Sequence, residues 1–141
     1  MPNILIDAGP LIALFNRKDR YHSFSVNFLK GFRGKLLSTW PVVTEVTHML
    51  DPKVHLQLDF LRWIERGGLT LVPLEKPQLK HMIELTEKYR DLPMDLADSS
   101  LVVIAESHGI NRIASFDSDY YAYRIGKAGR FENVFQDDFP G

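Results

Sequence analysis

Two aspartates of this sequence stand directly after segments that predict β-strands. Asp7 follows Ile4-Leu-Ile, and Asp117 follows Ile113-Ala-Ser-Phe. Parallel strands end at one edge of their sheet and ligands bind in the crevice there, so we expect both carboxylates at that crevice. An aspartate between a strand and a helix is also a common N-cap. Two at one edge favour a bound cation over two separate caps, because like charges brought together are costly without one.

Further acids lie in segments that predict helices. Asp98 belongs to Pro93-Met-Asp-Leu-Ala-Asp-Ser-Ser-Leu, and the residues after it are almost wholly apolar, which predicts a buried helix. A carboxylate one turn into such a helix needs a partner, either a metal or a buried arginine. Asp95, three residues earlier, is well placed as the N-cap. Glu45 stands among valines and is either a solvated helix edge or a further acid of the same site.

Together these acids predict a metal site made only of oxygen ligands. Carboxylates suit the hard cations Mg²⁺ and Mn²⁺ and do not suit zinc. The chain has no cysteine, and its five histidines form no obvious cluster. His22 and His48 lie nearest to these segments and are interpreted as surface or edge residues. The sequence has no glycine-rich phosphate loop and no Gly-x-Ser-x-Gly elbow.

The segments that must position these acids alternate between strand and helix patterns. Strands are predicted at 3–6, 35–38, 69–72, 112–115 and 133–135. Helical patterns lie between them, and one carries an apolar stripe of Phe24, Phe28, Leu29 and Phe32. Core packing is favoured for at least two of the four, and the rest of the stripe is expected to face a partner. Residues 117–123 are expected to form a loop or short turn. The alternation predicts an α/β fold: a three-layer α/β/α sandwich with a mainly parallel central sheet.

Length and composition place the chain among ordinary globular proteins. Its 141 residues, 45% apolar and 25% charged, suit one domain over 1–141. Without cysteine, a disulfide scaffold and thiol catalysis are excluded. No apolar run approaches the ~20 residues that span a bilayer, and the start has no signal-peptide pattern. We therefore expect a cytoplasmic protein without a membrane partner. The net charge of −1 neither supports nor excludes a nucleic-acid substrate.

The acid-bearing segments together resemble the PIN domain family, and within it the VapC toxins of bacterial and archaeal toxin–antitoxin pairs. The matching segments are Ile4-Leu-Ile-Asp-Ala-Gly-Pro-Leu-Ile-Ala-Leu-Phe, Thr44-Glu-Val, Pro93-Met-Asp-Leu-Ala-Asp-Ser-Ser-Leu and Ala114-Ser-Phe-Asp-Ser-Asp-Tyr. Their order and spacing fit over essentially the whole chain. The resemblance implies that the metal-binding and catalytic acids are Asp7, Glu45, Asp98 and Asp117.

The resemblance also implies supporting residues around those acids. Ser115 occupies the place of a threonine or serine near the metal, Asp119 matches a less constant extra acid, and Asp95 matches a subgroup feature. One departure is Tyr120-Tyr121, where many relatives have a single phenylalanine after the last acid. This departure is expected to leave the metal site intact and to alter the lip of the substrate site.

The activity that the resemblance implies is hydrolysis of RNA by metal-activated water, giving 5′-phosphate and 3′-hydroxyl ends without a covalent intermediate. The implied partners are the RNA substrate, a VapB-type antitoxin and a second copy in a homodimer. Two alternatives remain at this point. One is a PIN-fold RNA-processing nuclease without a toxin role, and the other is a receiver-like signalling module that binds Mg²⁺.

Contacts to RNA would require groups beyond the metal. Two basic clusters flank the expected catalytic edge and could follow phosphates: Arg17, Lys18 and Arg20, and Arg124, Lys127 and Arg130. For any one of these cations, a solvated loop charge is the favoured interpretation. Tyr120, Tyr121 and Tyr123 either stack on unpaired bases or close the core.

Overall fold

The computed structural model describes residues 2–127 and 129–135. Its strands are β1 (Asn3–Ile6), β2 (Lys35–Ser38), β3 (Thr70–Leu71), β4 (Arg112–Ala114), β5 (Arg124–Ile125), β6 (Gly129–Arg130) and β7 (Glu132–Asn133). Its helices are α1 (Ala8–Phe15), α2 (His22–Gly31), α3 (Trp40–Met49), α4 (Val54–Glu65), α5 (Leu79–Lys88) and α6 (Leu96–His108). Short 3₁₀ turns span Lys76–Gln78 and Ser118–Tyr121. Within these ranges no helix is long and apolar enough to cross a membrane.

Five strands form one parallel sheet in the order β3-β2-β1-β4-β7. The chain moves outward from β1 to β3 and then returns across the sheet to β4. Because such crossovers are right-handed, the helices before β3 and the helices after it cover opposite faces. The predicted three-layer sandwich is thereby confirmed. Receiver modules have the strand order 2-1-3-4-5, so the receiver-like alternative is wrong.

The core lies around the two central strands and helix α6. Leu5 of β1 pairs with Ile113 of β4, and both side chains are fully buried. Helix α6 is buried over nine consecutive residues, from Ala97 to Ala105, because it packs against α3, α5 and strand β5. Its N-terminal turn therefore has a fixed position relative to the ends of β1 and β4.

The aromatic stripe on α2 packs partly against the core. The Phe24 and Phe28 rings lie 5.0 and 4.9 Å from the ring of Phe135, and Phe28 stacks on Phe32 at 5.5 Å. These half-buried side chains, with Leu29, pack against the main core. The contacts account for the core-facing side of the stripe, and the expectation that part of it faces a partner stays a prediction.

The C-terminal part differs most from the sequence-based expectation. Strands β5 and β6 form an antiparallel hairpin that was not predicted, and the strand expected at 133–135 is Glu132–Asn133. The strand expected at 69–72 is reduced to Thr70–Leu71. Two-residue strands contain too few residues to show the alternation by which a strand is recognised in a sequence.

Candidate metal centre

Three carboxylates meet at the carboxyl edge of the sheet. One oxygen each of Asp7, Asp98 and Asp117 lies within 4.8 Å of the others. Asp7 directly follows β1, Asp117 lies three residues after β4, and Asp98 lies in the first turn of α6. Asp7 and Asp98 are only 7% and 9% exposed, and Asp117 is half-buried. With Glu45 and Asp95 they line a cleft of about 350 Å³.

Strand pairing and one serine bring two of these acids together. Because β1 and β4 are paired, the Asp7 amide donates to the Ala114 carbonyl at 3.1 Å. The Ser115 hydroxyl donates to Asp7 Oδ2 at 3.1 Å and accepts from the Asp117 amide at 2.9 Å. Ser115, itself buried, therefore bridges two acids that lie 110 positions apart in the sequence.

Helix capping explains some of the acids but not all of them. Asp7 occupies the N-cap position of α1, yet its side chain makes no capping hydrogen bond. Asp117 accepts from the Asp119 amide at 2.9 Å and so caps the turn that follows it. Asp95 and Asp98 form a reciprocal capping box at the start of α6. Asp95 is therefore the N-cap that its position in the sequence predicted. The Asp7 side chain does not cap its helix.

Burial makes these carboxylates hard to ionise. Desolvation raises the pKa of Asp7 to about 6, opposed by hydrogen bonds from the Ala8 amide and the Ser115 hydroxyl. Desolvation, followed by the neighbouring Asp95 and Asp7 charges, raises the pKa of Asp98 to about 7. The same causes in the same order raise the pKa of Glu45 to about 7.

No side-chain cation offsets this negative charge in the described part of the chain. The ion pairs found there join His81 to Glu84 and Glu106, and Arg112 to Glu132, and none involves the clustered acids. An all-oxygen donor set without a protein cation is the chemistry that fits Mg²⁺ or Mn²⁺. The residues present therefore fit a divalent cation.

The PIN domain family model matches residues 4–126. The chain belongs to the PIN domain family. No curated protein sequence matches it.

Several solved structures share the fold of this PIN domain. VapC20 of Mycobacterium tuberculosis, described as a toxin that cleaves the sarcin–ricin loop, has a TM-score of 0.77 at 14% identity, over 84% of this chain and 93% of its own. VapBC2 of Rickettsia felis, bound to a promoter DNA fragment, has a TM-score of 0.63 at 12% identity, with 94% and 98% covered. PAE2754 of Pyrobaculum aerophilum has a TM-score of 0.58 at 21% identity, with 95% and 90% covered. At these identities the likeness concerns the fold.

Two tyrosines of this PIN domain hold one of the acids. The Tyr120 hydroxyl donates to Asp98 Oδ1 at 3.1 Å, and the Tyr123 hydroxyl lies 3.4 Å from Asp98 Oδ2. Both rings are buried, so the interpretation that they stack on bases is wrong, whereas Tyr121 is 49% exposed. Sequence reasoning missed these contacts. The sequence feature that could have indicated them is that Tyr120 and Tyr123 follow Asp117 at intervals of three residues.

The basic residues after α1 have distinct surroundings. Arg17 and Lys18 line a cleft of about 670 Å³ together with Lys53 and His55. Arg20 lies over the Tyr21 ring at 5.1 Å, and that ring packs on Phe116 at 4.6 Å, directly before Asp117. Of the three basic residues after α1, Arg20 is therefore the one that described contacts connect to the segment carrying Asp117.

The residues of the second basic cluster differ in their contacts and in their exposure to solvent. Arg124 Nη1 donates to the carbonyls of Tyr121, Ala122 and Tyr123, so its guanidinium stabilises the preceding turn. Lys127 and Arg130 are exposed on the β5–β6 hairpin.

Neither histidine singled out in the sequence joins the acids. The His22 ring nitrogen Nδ1 is hydrogen-bonded to the Ala13 carbonyl at 2.7 Å. His48 is exposed on α3 and lines a groove with Trp40, Glu45 and Asp95, outside the three clustered carboxylates. Asp119 is half-buried beside Asp117, outside the group of three carboxylates that approach one another most closely.

Proposed function

We propose that this PIN domain is a divalent-cation-dependent endoribonuclease and the toxin of a VapBC-type toxin–antitoxin pair. The observation that carries the proposal is the group of carboxylate oxygens from Asp7, Asp98 and Asp117 within 4.8 Å of one another. Such a group is costly unless a cation joins it, and the described ion pairs supply none. Glu45 adds a fourth acid to the wall of the same cleft.

The residues divide into those that would hold the cation and those that would act around it. Asp7, Asp98 and Asp117 would hold Mg²⁺ or Mn²⁺. A divalent cation bound there would lower the pKa of a water molecule and would stabilise negative charge on a phosphodiester. Ser115 keeps Asp7 Oδ2 in place through its hydroxyl.

Glu45 is our candidate for the group that takes the proton from the attacking water. It is half-buried, and burial raises its pKa to about 7, close to the value that suits a general base at neutral pH. Attack by water on phosphorus, with release of the 3′ oxygen, gives the expected 5′-phosphate and 3′-hydroxyl ends. RNA phosphates are expected to contact the exposed Arg17, Lys18, Arg20, Lys127 and Arg130.

Asparagine substitutions test the nuclease function. Asp7→Asn and Asp98→Asn are expected to abolish RNA cleavage in Mg²⁺ or Mn²⁺, because each removes an acid assigned to the cation. Asp91→Asn changes an exposed acid and is the matched control, which should cleave at the wild-type rate. Cleavage at the wild-type rate by either site variant, or undiminished cleavage in EDTA, would contradict the assignment.

The toxin role predicts a partner of a particular chemistry. A cleft lined by four or more acids attracts cationic groups, so a VapB-type antitoxin is expected to place an arginine against Asp7, Asp98 or Asp117. Because that arginine supplies the missing positive charge, binding measured by isothermal titration should persist in EDTA. Collapse of binding on chelation would refute this electrostatic account. Expression of the chain alone without arrest of growth would favour the RNA-processing alternative.

A homodimer is expected on a surface where exposed apolar side chains are concentrated. Trp40 and Leu96 are 62% and 58% exposed, and Leu79 and Ile83 are also exposed. Leu96 lines two adjoining grooves, one with Trp40 and one with Leu79 and Ile83, which makes the surface continuous. Large exposed apolar patches commonly mark interaction sites. Sedimentation should show a dimer at micromolar concentration that Leu96→Glu dissociates, and a monomeric wild type would contradict it.

A further inference from the structure

The turn that follows Asp117 also contacts the acid on α6. We propose that Tyr120 and Tyr123 are positioning residues, which hold the Asp98 carboxylate in the orientation that binds the cation. The inference rests on the metal site of the proposed function and goes beyond its four acids. It is carried by the two hydroxyl contacts and by the rigidity of the rings that make them.

The hydrogen bonds of Asp98 leave little freedom to its carboxylate. A carboxylate offers about four lone pairs. Oδ2 has the Tyr123 hydroxyl at 3.4 Å and the Asp95 amide at 3.3 Å, and Oδ1 has the Tyr120 hydroxyl at 3.1 Å. One lone pair therefore remains, on Oδ1. Since the Tyr123 hydroxyl is also 3.5 Å from the Pro93 carbonyl, Tyr120 makes the stronger contact.

The rings that carry these hydroxyls are fixed by their neighbours. Tyr120 packs edge-on against Tyr123 at 5.2 Å and against Phe131 at 5.3 Å. Tyr123 also meets Tyr89 at 5.1 Å. Both hydroxyls are therefore presented from a packed aromatic cluster, and neither can follow a carboxylate that rotates away.

The backbone of the turn explains why one segment serves two acids. Residues 118–121 form a 3₁₀ turn, in which positions three apart lie on the same side. Asp117 caps this turn, Tyr120 lies within it three positions later, and Tyr123 lies two residues beyond its end. The segment thus brings one acid to the cluster and orients a second acid that belongs to α6.

The chemical type of the donor also matters. A hydroxyl donates a hydrogen bond to a carboxylate without cancelling its charge. An arginine or lysine in the same place would hold Asp98 more strongly but would compensate the negative charge that attracts the cation. Tyrosine therefore orients Asp98 and leaves its charge available.

Binding of Mn²⁺ alone tests the proposal without depending on RNA cleavage. We would measure the Mn²⁺ dissociation constant by electron paramagnetic resonance for the wild type, Tyr120→Phe, Tyr123→Phe and the double variant. Residues that orient a metal ligand typically contribute about 10- to 100-fold in affinity. We expect roughly tenfold weaker binding for Tyr120→Phe, a smaller loss for Tyr123→Phe, and a larger loss for the double variant than for either alone.

Tyr89→Phe is the matched control within the same aromatic cluster. The Tyr89 hydroxyl accepts from the Arg124 amide at 3.0 Å and does not contact Asp98, so its loss should change the melting temperature but not Mn²⁺ affinity.

Two different failures are distinguishable. If the wild type binds Mn²⁺ and Asp7→Asn abolishes binding while Tyr120→Phe binds as the wild type does, the positioning role is overturned and the metal site stands. Equal weakening by Tyr89→Phe would likewise overturn it, in favour of general packing. If the wild type binds Mn²⁺ no better than Asp7→Asn does, the metal site and the positioning role are both overturned.

Discussion

Replacement of Asp7 by asparagine should stabilise the protein when no metal is present. Asp7 is 7% exposed, and burial is the main cause that raises its pKa to about 6. At pH 7.5 the carboxylate is therefore ionised in surroundings that disfavour its charge. Asparagine has nearly the same shape, carries no charge and keeps an oxygen that can accept from the Ser115 hydroxyl.

The size of the effect follows from the pKa. The difference between the reference value of 3.8 and about 6 corresponds to about 3 kcal/mol, at 1.36 kcal/mol for each pKa unit. The buried amide has a desolvation cost of its own, so we expect a net gain of about 2 kcal/mol in the free energy of unfolding. For a chain of this length that gain raises the melting temperature by roughly 6 °C.

The pH dependence has a definite sign. The folded protein keeps a proton on Asp7 at pH values where the unfolded chain has lost it. Between about pH 4 and pH 6 the wild type therefore loses stability as the pH rises. The gain in stability from Asp7→Asn should be complete at pH 7.5. It should be absent below pH 4, where the wild type and the variant both carry a neutral side chain at position 7.

Thermal denaturation in EDTA from pH 4 to pH 8 measures this effect, with exposed Asp91→Asn as the control. Added Mg²⁺ should then raise the melting temperature of the wild type, since a ligand of the folded state stabilises it by mass action. The same addition should leave Asp7→Asn unchanged. If Asp7→Asn melts at a lower temperature than the wild type in EDTA at pH 7.5, the buried Asp7 charge does not destabilise the metal-free protein, and the reasoning is refuted.

Two further predictions concern the cation and the core. Because burial raises the pKa of both Asp98 and Glu45 to about 7, protons compete with Mn²⁺ at this site. The Mn²⁺ affinity measured by titration should therefore fall roughly tenfold or more from pH 8 to pH 6. An affinity that does not change with pH would contradict this. Leu101→Ala, at a fully buried position of α6, should cost about 2–5 kcal/mol in chemical denaturation. A loss under 1 kcal/mol would show that α6 is less tightly packed than described.

The regular part of the fold is encoded locally and could be predicted. The bounds expected for β1 and β2, 3–6 and 35–38, are those of the structure. The β-branched isoleucines of β1 indicate a buried strand, and the two leucines of β2 follow the glycine that separates it from α2. Helix α6 was predicted from the apolar residues that follow Asp98. It ends at Gly109, which takes the left-handed conformation at φ 63° that favours glycine at a helix end. The β5–β6 hairpin could not be predicted, because its strands depend on contacts with the rest of the fold.

The proximity of the acids could be predicted in part. Asp7 and Asp117 were expected at one edge because each follows a strand, and the structure brings them together with Asp98. Glu45 lines the cleft without joining the closest group. The contacts of Tyr120 and Tyr123 could not be predicted, since a buried ring and a ring that stacks on a base have the same sequence signature. The direction of a hydroxyl is set by tertiary packing.

The position of Asp98 explains how the chain keeps repelling carboxylates in contact. The first turn of a helix favours negative charge, and the Asp95 amide and two tyrosine hydroxyls supply neutral donors. The rest of α6 is buried from Ala97 to Ala105, so the helix cannot shift to separate Asp98 from Asp7. On a mobile loop the same acids would move apart and the repulsion would disappear. In this fold it persists, and a bound cation would relieve it.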